Sequence, residues 1–301
     1  MGEIDRRYDA GGGMPPTGTI GVTGATGALG RRVAARLSRR GLPQRLVVRD
    51  LNRAPDLPGT SAAMAAYEDT DAFERAVRDV DTLLLIPIPV GDKRIERQLG
   101  AVDAALSAGV SRIVYVSFLS AGPACVDTAA RDHFYTEAHI RATGVAHTFL
   151  RPSLYLDLLP AWVDARGLIR GPAGQGRLAW VAREDVAEAA VAVLTGGGAH
   201  TGRTYDLTGP EAVGLGETAR RLSALTGRTV AYVPQSRPEA DVRARPADAP
   251  QAGPDSAACA AIAAGELDAV SPAVPELTGR PAQSIEGFLR TRPSALHHAP
   301  V

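Results

Sequence analysis

The sequence predicts an α/β fold: a doubly wound parallel sheet of Rossmann type with a smaller C-terminal α/β substrate-binding domain. A glycine-rich turn follows the first apolar strand, and strand and helix patterns then alternate up to residue 150. The strand patterns are also apolar throughout, as in residues 83–86. Continuous apolar strands are typical of parallel sheets that helices cover on both faces.

Apolar periodicity defines the elements. We predict strands over residues 19–23, 44–48, 62–66, 82–86, 112–116 and 146–150, and helices over residues 28–40, 71–78, 93–108 and 132–143. After Arg151 the pattern is mixed, with helices over 184–194 and 217–225 and strands over 204–208 and 230–233. We therefore expect a nucleotide-binding domain over 18–155 and a mostly substrate-binding domain over 156–291, some of whose segments return to the first sheet.

Three segments lack such periodicity. Residues 1–17 predict a disordered leader without the apolar core of a signal peptide, so a cytoplasmic location is expected. Residues 237–254 are rich in Pro, Ala and Asp and predict a loop or mobile lid. Residues 292–301 predict a disordered tail.

Composition excludes several classes of partner. The formal net charge is +0 and no long basic run exists, so neither nucleic acid nor a membrane is expected as a partner. Cys125 and Cys259 have no metal-type spacing, and we expect no metal site. Lys93 is the single lysine among 33 basic residues, a bias typical of GC-rich genomes. A mechanism that needs a catalytic lysine must therefore use Lys93.

The turn over residues 24–30 predicts a bound dinucleotide. Gly24 suits the tight turn, Gly27 lets the backbone approach a diphosphate, and Gly30 lets helix and strand pack closely. The diphosphate would then lie at the positive end of the following helix. A purely structural glycine turn is the alternative, and the position of the motif in the first βαβ unit argues against it.

Arg49 at the end of the second strand predicts NADP(H). An acidic residue there would bind the ribose hydroxyls of NAD, whereas arginine accommodates a 2′-phosphate. Asp50 is adjacent, and a shift of one residue would reverse this preference. Arg31 or Arg53 could add a second phosphate contact. The alternative is that Arg49 is only a solvated residue at a strand end.

The proton donor stays unassigned. Ordinary short-chain dehydrogenases use a Tyr-x-x-x-Lys pair, in which the lysine lowers the tyrosine pKa. Tyr135 and His139 have this spacing, but histidine is shorter and usually neutral, and Lys93 belongs to the preceding helix. His133 could border the nicotinamide pocket. The catalytic candidates are thus Tyr135, His133 and His139. The alternative is that these side chains belong to a helix face that only packs or meets solvent.

Ligands of doubly wound sheets bind outside the carboxyl ends of the strands. That rule selects Ser117 as a cofactor contact and Phe118 and Leu119 as substrate contacts. Tyr155 and Trp180 would line an aromatic substrate pocket or simply pack in the core.

Several motifs together resemble the NmrA-like atypical short-chain dehydrogenases. They are Gly24-Ala-Thr-Gly-Ala-Leu-Gly30, Val48-Arg49-Asp50, Gly109-Val-Ser-Arg-Ile-Val-Tyr-Val-Ser117, Thr148-Phe-Leu-Arg-Pro-Ser153, Trp180-Val-Ala-Arg-Glu-Asp-Val186, Tyr205-Asp-Leu-Thr-Gly209 and Leu277-Thr-Gly-Arg-Pro281. The resemblance covers roughly residues 18–291. It implies a Rossmann domain, NADP(H) as cofactor and a small substrate domain over the nicotinamide.

The resemblance also implies residue roles. Gly24, Thr26, Gly27, Ala28 and Leu29 would hold the diphosphate, and Arg49 the 2′-phosphate. Ile86, Pro87, Pro152, Ser153, Leu154 and Tyr155 would border the nicotinamide. Residues 133–137 look like the corresponding helix of type-2 quinone oxidoreductases, which also lack the catalytic lysine that isoflavone-reductase-like members keep.

We therefore expect an NADPH-dependent reductase that transfers hydride to a quinone or ketone of an aromatic or polycyclic substrate, as a monomer or homodimer. Some members of the family act in actinobacterial aromatic-polyketide pathways, including a ketoreductase of simocyclinone type, so a role in antibiotic biosynthesis is one expectation. The alternative is a non-catalytic regulator that senses NAD(P).

Overall fold

The structure is a computed structural model and describes residues 18–243 and 254–291. Its strands are β1 (Thr19–Thr23), β2 (Gln44–Val48), β3 (Thr60–Met64), β4 (Val80–Leu85), β5 (Arg112–Val116), β6 (Ala146–Pro152), β7 (Leu168–Gly171), β8 (Arg177–Leu178), β9 (Thr204–Leu207), β10 (Val213–Gly214) and β11 (Ala231–Pro234). Its helices are α1 (Ala28–Arg39), α2 (Thr70–Ala76), α3 (Arg94–Ser107), α4 (Thr128–Ala142), α5 (Leu159–Trp162), α6 (Arg183–Thr195), α7 (Leu215–Thr226), α8 (Arg237–Arg243), α9 (Ser256–Ala263), α10 (Ala273–Thr278) and α11 (Ile285–Thr291).

Seven strands form the central sheet in the order β3-β2-β1-β4-β5-β6-β9. Every neighbouring pair in it is parallel. The chain winds outward from β1 to β3 and then restarts on the other side at β4, so the strand order reverses between β1 and β4. That reversal is the switch point at which doubly wound sheets bind ligands. The predicted Rossmann sheet is confirmed.

Helices cover both faces of the sheet. On one face Val33 of α1 and Val186 of α6 belong to a single buried cluster with β1 and β4. On the other face Phe73, Val102 and Ile140, from α2, α3 and α4, pack in a second cluster. All five residues of β5 are buried, as the continuous apolar pattern predicts.

The C-terminal part builds a third core around two small sheets. β7 pairs in parallel with β11, and β8 pairs antiparallel with β10. Trp162 and Trp180 pack edge to face in this core, with ring centroids 5.0 Å apart. β9 leaves this part of the chain and pairs with β6, which extends the central sheet.

Two boundaries differ from the prediction. Residues 237–243 form a helix rather than a loop, and at its start the Glu239 carboxylate accepts the backbone N–H of Ser236 at 2.8 Å, which satisfies a donor at the helix N-terminus. Helix α4 begins four residues earlier than predicted, since the Asp127 carboxylate accepts the N–H of Ala129 at 2.8 Å. The remaining predicted loop at 244–253, the leader at 1–17 and the tail at 292–301 lie outside the described residues.

Across the described ranges, no helix combines the length and apolar character that a membrane span requires. The same part of the chain contains no group of three or more His, Cys, Asp or Glu side chains placed to hold a metal ion.

Candidate active site

The turn between β1 and α1 has a glycine-specific geometry. Gly24 has a φ of 59°, in the left-handed region that favours glycine, and its carbonyl accepts the N–H of Gly27 at 2.8 Å. A Cβ on Gly30 would lie 2.3 Å from that same carbonyl oxygen. The close approach of α1 to the turn therefore requires glycine at position 30.

The first turn of α1 is open to an anion. Gly27 caps the helix without a side-chain hydrogen bond, and no acidic residue follows in the first turn. By contrast, aspartates cap α2 and α4. Gly24, Gly27 and Ala28 are exposed at this turn, Thr26 is half-buried and Leu29 is buried. Free N–H groups at the positive end of a helix fit the diphosphate of a dinucleotide.

The end of β2 offers positive charge. Arg49 and Asp50 are both exposed, but one oxygen of the Asp50 carboxylate accepts the N–H of Asn52 at 2.9 Å. This bond caps a short 3₁₀ turn, Leu51–Arg53. Arg31 and Arg53 are exposed as well. Guanidinium groups at this position fit a phosphate on the adenosine ribose.

Next to the turn between β1 and α1, the hydroxyl groups of Thr23 and Tyr67 hold the chain that follows β4. The N–H of Ile86 donates to Thr23 Oγ1 at 2.8 Å, and Tyr67 donates to the carbonyl of Ile86 at 2.7 Å. Burial raises the pKa of Tyr67, so its phenol stays neutral. Ile86 and Pro87, predicted beside the nicotinamide, are half-buried. The role of Thr23 was not predicted, although a hydroxyl at the last residue of an apolar strand is a signal that could have indicated it.

Glu137 joins three elements although its side chain is 0% exposed. Its carboxylate accepts the Ser117 hydroxyl at 2.6 Å and two bonds from Arg151, at 2.8 and 2.6 Å. Arg141, one turn along the helix, donates a further bond at 3.0 Å. The Ser117 side chain is buried, and its hydroxyl proton is already donated to Glu137.

His133 lies on the same buried face of α4. Its Nδ1 is 2.8 Å from Tyr115 Oη and its Nε2 is 2.9 Å from an Arg94 nitrogen. Burial, followed by the charges of Arg94 and Arg151, holds the pKa of His133 well below its usual range. This histidine is therefore neutral near pH 7.

Tyr135 and His139 lie elsewhere on α4. Tyr135 is 47% exposed and packs edge to face on Phe134. His139 Nε2 is 2.6 Å from Asp103 on α3. The two side chains thus occupy the solvent side of the helix, and Lys93 is exposed at the start of α3.

The candidate substrate residues fall into two groups. Phe118, Leu154 and Tyr155 are half-buried. The other group is enclosed in the cores: Leu119, Pro152, Ser153 and Trp180. Of these, Trp180 donates to Thr218 at 3.3 Å within the C-terminal core. The first group therefore retains solvent-accessible side chains on this side.

Tyr155 is linked to α1 by a charged network. The guanidinium of Arg183 lies 4.6 Å from the centre of the Tyr155 ring, and the Asp157 carboxylate accepts the backbone N–H of Arg183 at 3.1 Å. Arg32 of α1 contacts both Asp157, at 3.5 Å, and Glu184, at 2.8 Å. Burial raises the pKa of Tyr155 to about 12, opposed by Arg183. Arg32 was not predicted from the sequence, because its partners Asp157 and Glu184 are distant in the chain.

The chain is similar in sequence to a family of NAD(P)H-binding proteins and to named reductases. A family model described as NAD(P)H-binding matches residues 24–196, more than half of the chain. The (4-alkanoyl-5-oxo-2,5-dihydrofuran-3-yl)methyl phosphate reductase of Streptomyces griseus is 34% identical over 280 residues, covering 87% of this chain and 93% of the relative. Quinone oxidoreductase 2 of Escherichia coli is 34% identical over 233 residues, covering 75% and 80%.

Solved structures agree with this relationship. The E. coli quinone oxidoreductase complexed with NADPH superposes with a TM-score of 0.80 at 28% identity, covering 90% of this chain and 99% of that one. The Citrobacter triphenylmethane reductase complexed with NADP(H) gives 0.80 at 29% identity, covering 93% and 99%. The chain therefore belongs to the NAD(P)H-binding family, with the fold of NmrA-like atypical short-chain dehydrogenases, and is an NAD(P)H-dependent oxidoreductase.

Proposed function

We propose that this protein uses NADPH to reduce a quinone, or a ketone conjugated to an aromatic or polycyclic system, without a tyrosine–lysine acid couple. Within that class, a polycyclic ketone of an angucycline-type polyketide, made in antibiotic biosynthesis, is the finer proposal. The observation that carries the mechanism is the state of α4: its buried face holds a neutral His133 and an ion-paired Glu137, and Tyr135 is exposed.

Positioning and charge delocalisation replace the acid in this mechanism. Reduced nicotinamide, when bound, supplies the hydride. The exposed backbone at Gly27 and the N–H groups of the first turn of α1, beginning with Ala28, would hold the diphosphate, and Ile86 and Pro87 would border the nicotinamide ring. Phe118 and Tyr155 would hold the acceptor ring. An acceptor whose developing negative charge spreads over a conjugated system needs no protein acid, because water can deliver the proton afterwards.

The acceptors named for the relatives support this class. One relative is named for a quinone, one for triphenylmethane dyes and one for an oxo-dihydrofuran that carries an alkanoyl group. Each of these is an electron-poor conjugated system. The common requirement is an electrophilic carbon held against the nicotinamide, which effective concentration alone accelerates strongly.

The preference for NADPH rests on the end of β2. Arg49 is free to reach a 2′-phosphate from the surface, whereas Asp50 uses one carboxylate oxygen to cap its own turn. Both structural neighbours above were crystallised with the phosphorylated cofactor.

The decisive experiment measures NADPH oxidation with a panel of quinones, polycyclic ketones and alkanoyl-dihydrofuranones, for the wild type and Tyr135→Phe. We expect turnover with a conjugated acceptor and a Tyr135→Phe rate within about twofold of wild type, since the phenol is on the solvent side. Loss of turnover in Tyr135→Phe with unchanged NADPH binding would contradict the acid-free mechanism. A wild type that binds NADP(H) but oxidises none with any acceptor would instead support the sensing regulator.

A further inference from the structure

Arg94, the first residue of α3, is a buried cation with three separate partners. Its side chain is 4% exposed. Nε donates to the carbonyl of Ile88 at 3.0 Å, Nη1 donates to Asp132 Oδ2 at 3.1 Å, and Nη2 lies 2.9 Å from His133 Nε2. A buried guanidinium is costly unless its donors are satisfied, and here each nitrogen has a partner.

These contacts determine the tautomer of His133. Arginine is always protonated and can only donate, so His133 Nε2 must accept. The ring proton is then on Nδ1, which donates to Tyr115 Oη at 2.8 Å. The charged or titratable groups around the ring are Arg94 from α3, Tyr115 from β5, Arg151 from β6, and Asp132 and Glu137 from α4 itself. A second ring proton would meet Arg94 directly.

Arg94 and His133 each contact a loop at the end of a strand. Arg94 contacts the loop after β4 through Ile88, and His133 contacts the loop after β5 through Phe118. Ile88 is two residues beyond Ile86, in the loop after β4. Phe118 follows β5, and its ring stacks on His133 with centroids 6.1 Å apart and an interplanar angle of 24°. β4 and β5 are neighbours in the sheet, so these loops are adjacent at its carboxyl edge.

We propose that Arg94 is a positioning residue: it fixes the loop after β4 directly, and Phe118 through a neutral His133, so that both flank the nicotinamide and the acceptor. The ligands named here rest on the proposed function. Lysine could not replace Arg94, because an ammonium group lacks the planar fork that reaches three partners in fixed directions. Arg94 touches neither ligand in this proposal and acts only through the two loops.

The first test uses the wild-type apoprotein and needs no acceptor. Nitrogen-15 NMR of the histidine rings, with the His133 signal identified by its loss in His133→Gln, should show a neutral ring with the proton on Nδ1. That signal should not titrate between pH 8 and 5.5. A proton on Nε2, or a titration near pH 6.5, would overturn the proposal whatever the variants do.

The second test compares Arg94→Lys with Arg97→Lys, a half-buried arginine one turn along the same helix. In Arg94→Lys we expect the Kd for NADPH, from calorimetry, to rise about tenfold, because the loop after β4 is displaced. Arg97→Lys should match the wild type. A merely structural role would lower the folded fraction and leave the Kd of the folded protein unchanged, which would refute the proposal.

Turnover separates this proposal from the proposed function. A wild type that binds NADPH but reduces no acceptor would contradict the proposed function, while the NMR and binding results would still decide the role of Arg94. With a working acceptor, we expect Arg94→Lys to raise the acceptor KM at least as much as it lowers kcat, because Phe118 is displaced.

Discussion

Adjacent residues at the end of β2 have different roles, although both are charged and exposed. Asp50 faces its own backbone and caps a turn, and Arg49 stays available to a ligand. The sequence shows both residues but not which one is engaged, because the distinction depends on a side-chain rotamer. Coenzyme preference is therefore a residue-scale property of this chain.

We predict that Arg49→Ala raises KM for NADPH about 10- to 100-fold and leaves KM for NADH within about twofold. Removing a charged hydrogen bond to a phosphate costs about 1.5–3 kcal/mol, and NADH has no such phosphate. Steady-state kinetics with both coenzymes measure the change. Arg39→Ala, at the exposed far end of α1, is the matched control and should leave both values unchanged. Equal increases in KM for the two coenzymes would show that Arg49 does not bind the 2′-phosphate.

A second residue-scale prediction concerns Gly30. Gly30→Ala places a methyl group 2.3 Å from the Gly24 carbonyl oxygen, so α1 must shift away from the turn. We expect NADPH affinity to fall at least tenfold, since the first-turn N–H groups move with the helix. Calorimetry measures it. Gly41→Ala, just beyond the C-terminal end of α1, adds a strained residue with no steric contact and is the control for stability alone. Similar affinity losses in both variants would contradict the prediction.

At the scale of elements, the buried face of α4 carries polar groups that bond to its neighbours in the fold. His133, Thr136 and Glu137 are buried on one face and each bonds to another element. The same helix carries Tyr135 and His139 on its solvent side, so the Tyr-x-x-x-His spacing is a property of its outer surface. The buried face connects the carboxyl ends of β5 and β6, where ligand contacts are expected.

For this helix we predict that Glu137→Gln lowers the free energy of unfolding by about 1.5–3 kcal/mol, because the half-buried Arg151 loses its counterion and its charged hydrogen bonds to Glu137. Urea unfolding at pH 7 measures the loss. Arg141→Gln breaks the other ion pair of Glu137, but Arg141 is 43% exposed, so its cost should stay below about 1 kcal/mol. Comparable losses in the two variants would mean that Glu137 is not a buried anchor.

Local patterns predicted most elements of the sheet and few of the C-terminal part. The bounds of β1, β2 and β5 match the apolar runs, because burial on both faces leaves an unbroken signal. The edge strand β3 begins two residues earlier than predicted, since its mostly exposed side chains carry little pattern. β8 and β10 have two residues each and pair across 35 positions, which no local signal reveals.

The residues of the site likewise divide into those that local sequence predicts and those that it does not. The glycine turn and Arg49 could be predicted because their chemistry is local. The contact between Arg94 and His133 joins residues 39 positions apart, and that between Arg32 and Glu184 spans 152 positions. Such pairs depend on the tertiary fold, so a single sequence indicates the residue types without their partners.

For the whole molecule, the buried histidine predicts a pH dependence of stability. The pKa of His133 is lowered in the folded protein, so the unfolded chain binds more protons below about pH 6.5. Stability is then fully present above pH 6.5 and is lost as pH falls toward the folded pKa, by about 1.4 kcal/mol per pH unit.

The measurement is urea unfolding of the wild type and His133→Gln between pH 7.5 and 5. Glutamine does not titrate, so the variant should lose less stability across this range, and the difference isolates His133. His200 has a lowered pKa and Asp206 a raised one in both proteins, so their opposing contributions cancel in the comparison. Parallel curves for the two proteins would contradict the prediction.

Because the indoles of Trp162 and Trp180 lie together, the intrinsic fluorescence of the protein reports on one part of the molecule more than on the other. They are the two tryptophans of the chain, and both belong to the C-terminal core. Intrinsic emission therefore reports on that core and hardly on the seven-stranded sheet, whose unfolding is followed better by far-ultraviolet circular dichroism. Transitions that coincide by both signals would show that the two parts melt as one cooperative unit.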